Sequence, residues 1–343
     1  MTESPPTKRQ KGDKEDQALT SSAHDFENFA LSGDVTFIVQ GETRVRVCSA
    51  ILKTASPVFA VMLGPNFKEG HALAKADGTP VEIALPEDDC EPFGWICRTL
   101  HCQADSKLWR PEVDKLMKVW AIAEKYDMLK AIQLSVDFWV SELLKSYPTD
   151  SDLWCMALSC YRAKDSDSFR SITRQLILSC KDPYIRLASH LEGSTKEVAS
   201  AHTMYKLAAT LQEARSHVLS GFVDLLYINI PSILREYDCF ETHTENSASR
   251  LAVEYHTRVV EDCTEVFGLY HLMGTDVNLA HLLDSISSLN RWFSSRCNCW
   301  GCALAVQEAQ EEILNVLEQE IWGLCFACFD KAGNKACTSN HYD

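Results

Sequence analysis

The feature that most constrains this chain is a change of hydrophobic period between Asp34 and Gly70, in the stretch DVTFIVQGETRVRVCSAILKTASPVFAVMLGPNFKEG. Val35, Phe37 and Val39 alternate, as do Val45 and Val47, so each short run presents one apolar face in the manner of a β-strand. Between them Gly41-Glu42 has the Gly-X form of a two-residue hairpin turn. The spacing then becomes helical. Ser49 is placed to cap a short helix bearing Ile51 and Leu52. Ser56-Pro57 reads as an N-cap followed by proline at the first helical position, ahead of Val58, Phe59, Met62 and Leu63. A hairpin feeding two short helices is a compact unit, and its polar side chains do not cluster as catalysis requires.

The pattern continues on both sides. Phe26, Phe29 and Leu31 suggest a brief helix lying on the hairpin. After Gly70, HALAKADGTP reads as a surface loop, followed by an alternating strand at Val81, Ile83 and Leu85 that Pro86 ends. Asp88 or Asp89 can cap a helix bearing Phe93, Ile96, Cys97 and Leu100. Two longer helices follow, one marked by Leu116, Val119, Trp120, Ala123 and Tyr126, the next by Leu129, Ile132, Val136, Trp139 and Leu143.

Taken in order, Asp34-Val35, the hairpin, Leu52, Ser56-Pro57-Val58-Phe59, Phe67-Lys68-Glu69 and VEIALPEDD from Val81 resemble the BTB/POZ domain over about a third of the chain. The resemblance implies an α+β fold: a BTB/POZ domain at residues 25–146, a small sheet flanked by short helices. A disordered tail at 1–24 precedes it, and a helical C-terminal region with a Cys-rich end occupies 147–343. It also implies a protein-interaction module rather than an enzyme, and a homodimer. In BTB proteins that recruit cullin-3 ubiquitin ligases, a hydrophobic-x-Glu triplet at the position of Phe67 and Glu69 contacts the cullin. Such a side chain can fill a partner's pocket while the acid fixes orientation, or Phe67 can pack back on the helix before it. An acid at the place of Asp34 usually has a basic neighbour in this family. Here Cys48 and Ser49 stand where His and Lys or Arg are common, so Asp34 is expected to cap local amides, and recruitment of corepressors through a charged pocket is in doubt. The partner-binding candidates are Phe67, Glu69 and Asp34. The function expected is a self-associating adaptor that recruits substrates to a cullin-3 ligase. The alternative is a nuclear scaffold or transcription-associated protein acting through dimerisation.

Tyr147-Pro148-Thr149-Asp150 marks the boundary, beyond which the periodicity is helical throughout: Leu153, Ala157 and Tyr161; Phe169, Ile172 and Leu176; later Leu279, Leu282, Leu283, Ile286 and Leu289. Glu241 to Arg250 reads as a polar loop, and no repeat with a stable period emerges. This region resembles the helical part of BTB proteins common in filamentous fungi. Trp120, Trp139 and Trp154 sit at core spacing and read as packing.

Charge and composition narrow the partners. A net charge of −15 argues against a general nucleic-acid binder, which needs a basic surface to release counterions. The basic run from Thr7, with Lys8, Arg9 and Lys11, reads as a solvated tail or a nuclear-localisation signal. No signal peptide is visible, and the most apolar stretch, Val218 to Leu234, is broken by Asp224 and Pro231, so an intracellular protein, cytoplasmic or nuclear and without membrane contact, is expected. Fifteen cysteines in that setting should be buried thiols or metal ligands rather than disulfides.

Those cysteines supply the cofactor candidate, a structural zinc. Cys325, Cys328, Cys337 and His341 form C-x2-C-x8-C-x3-H, four suitable ligands close in sequence that a metal could order. The bland reading is a tail with Cys325 buried in a helix end. A ribbon joining this pair to Cys299 and Cys302 is disfavoured, because the intervening segment reads as one helix rising about 34 Å. Cys297, Cys299 and Cys302 would need a fourth ligand from elsewhere, and no thioredoxin-like context surrounds them. His190, His202, His217, His256, His271 and His281 form no HExxH pair or triad, and no phosphate-binding glycine loop occurs.

Overall fold

The computed structural model describes residues 29–41, 43–103, 111–196, 198–224 and 323–330, with Gln307, Glu311 and Asn315. The expected tail, the helix at Leu279 to Leu289, the loop at Glu241 to Arg250, the cluster at Cys297 to Cys302, and Cys337 and His341 lie outside the described residues. Within them the protein is mixed α and β, with one three-stranded sheet and a majority of helices.

Strands β1 (Val35–Val39), β2 (Thr43–Val47) and β3 (Val81–Leu85) form a sheet in the order β2-β1-β3. β2 runs antiparallel to β1, with Val39 opposite Thr43, and β3 runs parallel, with Val39 opposite Leu85. The central strand is covered on more than one face: Val35, Phe37 and Val39 are fully buried, and Thr36 is buried beside them. The hairpin register leaves residues 40–42 between the strands, a three-residue turn rather than the expected two. Gln40 and Gly41 both take positive φ, 53° and 82°, the conformation that glycine adopts freely. On the outer side Arg44 pairs with Glu82.

Between β2 and β3 the chain makes α1 (Ser49–Ala55), α2 (Pro57–Met62) and α3 (Lys68–Lys75). The Ser56 hydroxyl oxygen accepts from the Phe59 amide at 3.0 Å, as its sequence predicts, and its O–H donates to the Tyr126 carbonyl. Ser49 does not cap α1. Cys48 takes that position without a side-chain bond, and the cap comes from Asp34 instead. His71 to Lys75, expected in a loop, are helical: Ala, Leu and Lys favour helix, with Glu69 at the start and Lys75 at the end matching the dipole. Phe29 is buried but not helical; its amide donates to the Arg46 carbonyl, and Leu31 is exposed.

Helix α4 (Cys90–Leu100) packs on β2, and α5 (Val113–Lys125) and α6 (Leu129–Lys145) pack on α4. Asp89 caps α4, while the buried Asp88 accepts from Lys125 and from the Tyr126 hydroxyl. Burial, then the hydrogen bond to the Asp88 carboxylate and its charge, pushes the Tyr126 phenol upward. Phe37 sits 5.5 Å from both Phe59 and Phe93, and Phe59 stacks on Tyr126 at 4.4 Å, so one aromatic cluster joins sheet, α2 and α4.

Four helices follow: α7 (Asp150–Arg162), α8 (Ser166–Ser179), α9 (Tyr184–Thr195) and α10 (Ala201–Asp224). Thr149 and Asp152 close a capping box at α7. That helix buries Leu153, Trp154, Met156, Ala157, Leu158 and Cys160, an apolar surface wider than one stripe, because α5, α8 and α9 pack around it. The boundary at 147–149 is therefore a turn in the chain and not a break in the core, which runs on through both parts. The last described segment, Gly323 to the short helix α11 (Phe326–Asp330), lies on α7, α8 and α10. No described helix is long and apolar enough to cross a membrane.

Candidate partner-docking surface

Helix α2 has six residues, too few to bury more than one side. Phe59 and, just past its end, Leu63 face inward, which turns Val58 and Val61 outward, with 38% and 57% of their surfaces exposed. The chain then has to reverse into α3. Gly64 and Gly70 meet there backbone to backbone: a Cβ on Gly70 would lie 1.7 Å from the Gly64 carbonyl oxygen. That contact pins the start of α3 under the end of α2. Phe67, at the N-cap of α3 in extended conformation, is 45% exposed. Val58, Val61 and Phe67 are thus outward-facing apolar side chains carried on α2 and at the head of α3. Glu69 is half-buried one residue into the helix, and its carboxylate is 3.6 Å from the exposed Lys68 ammonium.

Sequence reasoning named Phe67 and Glu69 here and put Val58 on α2 without separating its buried side from its exposed one. The missing signal was available, since Phe59 and Leu63 at i and i+4 already define the buried side, and Val58 and Val61 at i and i+3 lie off it.

Asp34 is occupied locally. Its carboxylate accepts from the Ser49 amide at 2.7 Å and the Ser49 hydroxyl at 2.6 Å, satisfying a free donor at the head of α1. Partial burial pushes its carboxyl up, but the Ser49 hydrogen bonds and the nearby Lys53 charge outweigh it and hold the group below the usual carboxylate range.

Two of the four zinc candidates are described. Cys325 precedes α11 and is half-buried; Cys328 is on it and exposed. No group of three or more potential ligands able to hold a metal occurs among the described residues. What anchors this segment is aromatic: Phe326 and Phe329 pack with Tyr161 and Phe169 at 5.0–5.8 Å between ring centres. Cys48, Cys90, Cys97, Cys102, Cys155, Cys160 and Cys180 are free thiols. Of these, Cys97, Cys160 and Cys180 are buried, and burial, with the Asp150 carboxylate close by, pushes the Cys180 thiol up to about 12. A thiol so held is a poor nucleophile. His190, His202 and His217 are exposed on their helices.

The chain matches no protein-family model, and no curated protein matches it.

Proposed function

We propose that this chain is a non-enzymatic adaptor of the BTB/POZ kind, which self-associates and docks a cullin-3 ubiquitin ligase through the α2–α3 surface while its helical region holds a substrate. The observation that carries the reading is the outward Phe67, set beyond Val58 and Val61 by the close contact of Gly64 and Gly70. An exposed aromatic flanked by aliphatic side chains on rigid elements is the kind of anchor that dominates interface energy. A hairpin feeding two short helices, a parallel third strand and a following helical hairpin accord with the BTB/POZ resemblance. Asp34, tied to Ser49, offers no free carboxylate to a charged recruiting pocket, so docking through α2 and α3 is the reading favoured.

Capture of purified cullin-3 by the full chain tests it. Phe67→Ala is expected to weaken capture at least tenfold, Val61→Asp to abolish it, and Glu69→Ala to reduce it severalfold, with thermal midpoints little changed. Capture unaltered by Phe67→Ala and Glu69→Ala overturns this docking mode. A monomer by sedimentation at micromolar concentration overturns the self-association.

A further inference from the structure

A second surface, away from α2 and α3, has the makings of a binding site. The groove between α6 and α8 encloses about 440 Å³, with Val140 and Leu144 on one wall, Asp137, Asp167 and Ser168 around it, and Tyr147 at its mouth. Ser168 is 2% exposed and its hydroxyl has no hydrogen-bond partner. A buried hydroxyl without a partner is uncommon and costly. Asp137 accepts from the Gln133 side chain at 2.7 Å, and neither Asp137 nor Asp167 meets a cation among the described residues. Lys145, also on the wall, pairs with Glu142 at 2.7 Å. Burial first, then repulsion from Asp165 and Asp167, pushes the Asp137 carboxyl upward, so negative charge here lacks compensation. Asp165 is already engaged by Trp120, Gln133 and the Ser168 amide.

We propose that this groove receives an arginine side chain presented by a partner protein. The carboxylates of two helices and the idle Ser168 hydroxyl supply acceptors for a guanidinium, which carries five N–H donors in one plane. Val140 and Leu144 match the methylene stem, which a metal ion or a simple ammonium would leave unused. Tyr147 is 87% exposed on a left-handed backbone, φ 55°, and gives the guanidinium a ring to stack on. The surface continues along one face of α6 through Phe138 to Leu134, 40% and 87% exposed, where an apolar neighbour of the arginine would rest.

The test is titration of the full chain with N-acetyl-arginine-N-methylamide, followed by amide shifts in nitrogen-15 spectra. The citrulline and lysine counterparts serve as controls. Saturable shifts at Tyr147, Ser168 and Ser171 are expected with the arginine compound, at least fivefold weaker with lysine and absent with citrulline. Asp137→Asn with Asp167→Asn is expected to lower affinity at least fivefold. Ser168→Ala, which removes a hydroxyl without a partner, is expected to lower it about twofold with the thermal midpoint unchanged or raised. Equal shifts with citrulline, equal affinity in the double variant, or shifts spread over other acidic surfaces would each overturn the proposal.

Discussion

The Trp120 indole on α5 donates to the Asp165 carboxylate at 2.9 Å, and both residues are buried. The same carboxylate accepts from the Ser168 amide, capping α8, and from Gln133 on α6. One side chain thus joins α5 and α6 to α8, beyond the Tyr147 turn, and Arg162 adds a 2.7 Å pair to Glu124 across the same join.

Trp120→Phe is expected to cost about 1–3 kcal/mol, since it leaves a buried carboxylate short of a donor, and Asp165→Ala more, since it also removes a cap. Because the core is continuous, urea unfolding followed by tryptophan fluorescence and by helical signal should move together in both variants. Separate transitions for the two parts would show that this join is not structural.

The pH dependence has two opposed contributions. Asp34 has a folded pKa below its unfolded value, so its contribution to stability is present above about pH 4 and is lost as acid protonates it. Asp34→Asn should therefore lower the urea midpoint at pH 7, and by progressively less as the pH falls below about 4. Asp137 is the reverse: its folded pKa is raised, so its penalty grows as pH climbs through that value and is absent in acid. Asp137→Asn should raise the midpoint at pH 7 and do nothing at pH 2.5. A fall at pH 7 would mean the Gln133 hydrogen bond outweighs the repulsion.

Glycine at 70 is required by space. Gly70→Ala would drive a methyl into the Gly64 carbonyl and separate α2 from α3, at an expected cost of about 2 kcal/mol. It should displace Phe67 and weaken partner capture with no docking side chain altered. Gly193, within α9 and with nothing near its Cβ position, is the contrast: Gly193→Ala should stabilise by up to about 1 kcal/mol. Thermal melts of the two variants moving in the same direction would contradict this account.

Much of the architecture was legible because it is local. The alternation at Val35 to Val39, the Ser56-Pro57 start and the helical spacing of Leu116 to Tyr126 each reflect a face that must be buried, and the strands and helices form where these patterns stand. What the residues did not disclose depends on distant neighbours. Ser49 looked like a cap because hydroxyls cap helices, but Asp34, fifteen positions earlier, reaches that amide first. His71 to Lys75 looked like loop for want of a long apolar stripe, yet an exposed helix needs only propensity and matched ends. The hairpin count slipped by one residue because Gln40 enters the left-handed region alongside Gly41. For the proposed docking surface, Phe67 could be named from its motif, while no periodicity announces the Gly64–Gly70 contact beside it.

The segment at Gly323 to Asp330 closes over Tyr161 and Phe169, with the Leu324 amide donating to the Thr173 hydroxyl 151 positions earlier. Contacts so remote in sequence form only after a long stretch has been synthesised. During translation the rings of Tyr161 and Phe169 must wait uncovered, a period in which chaperones would have their best hold on the nascent polypeptide.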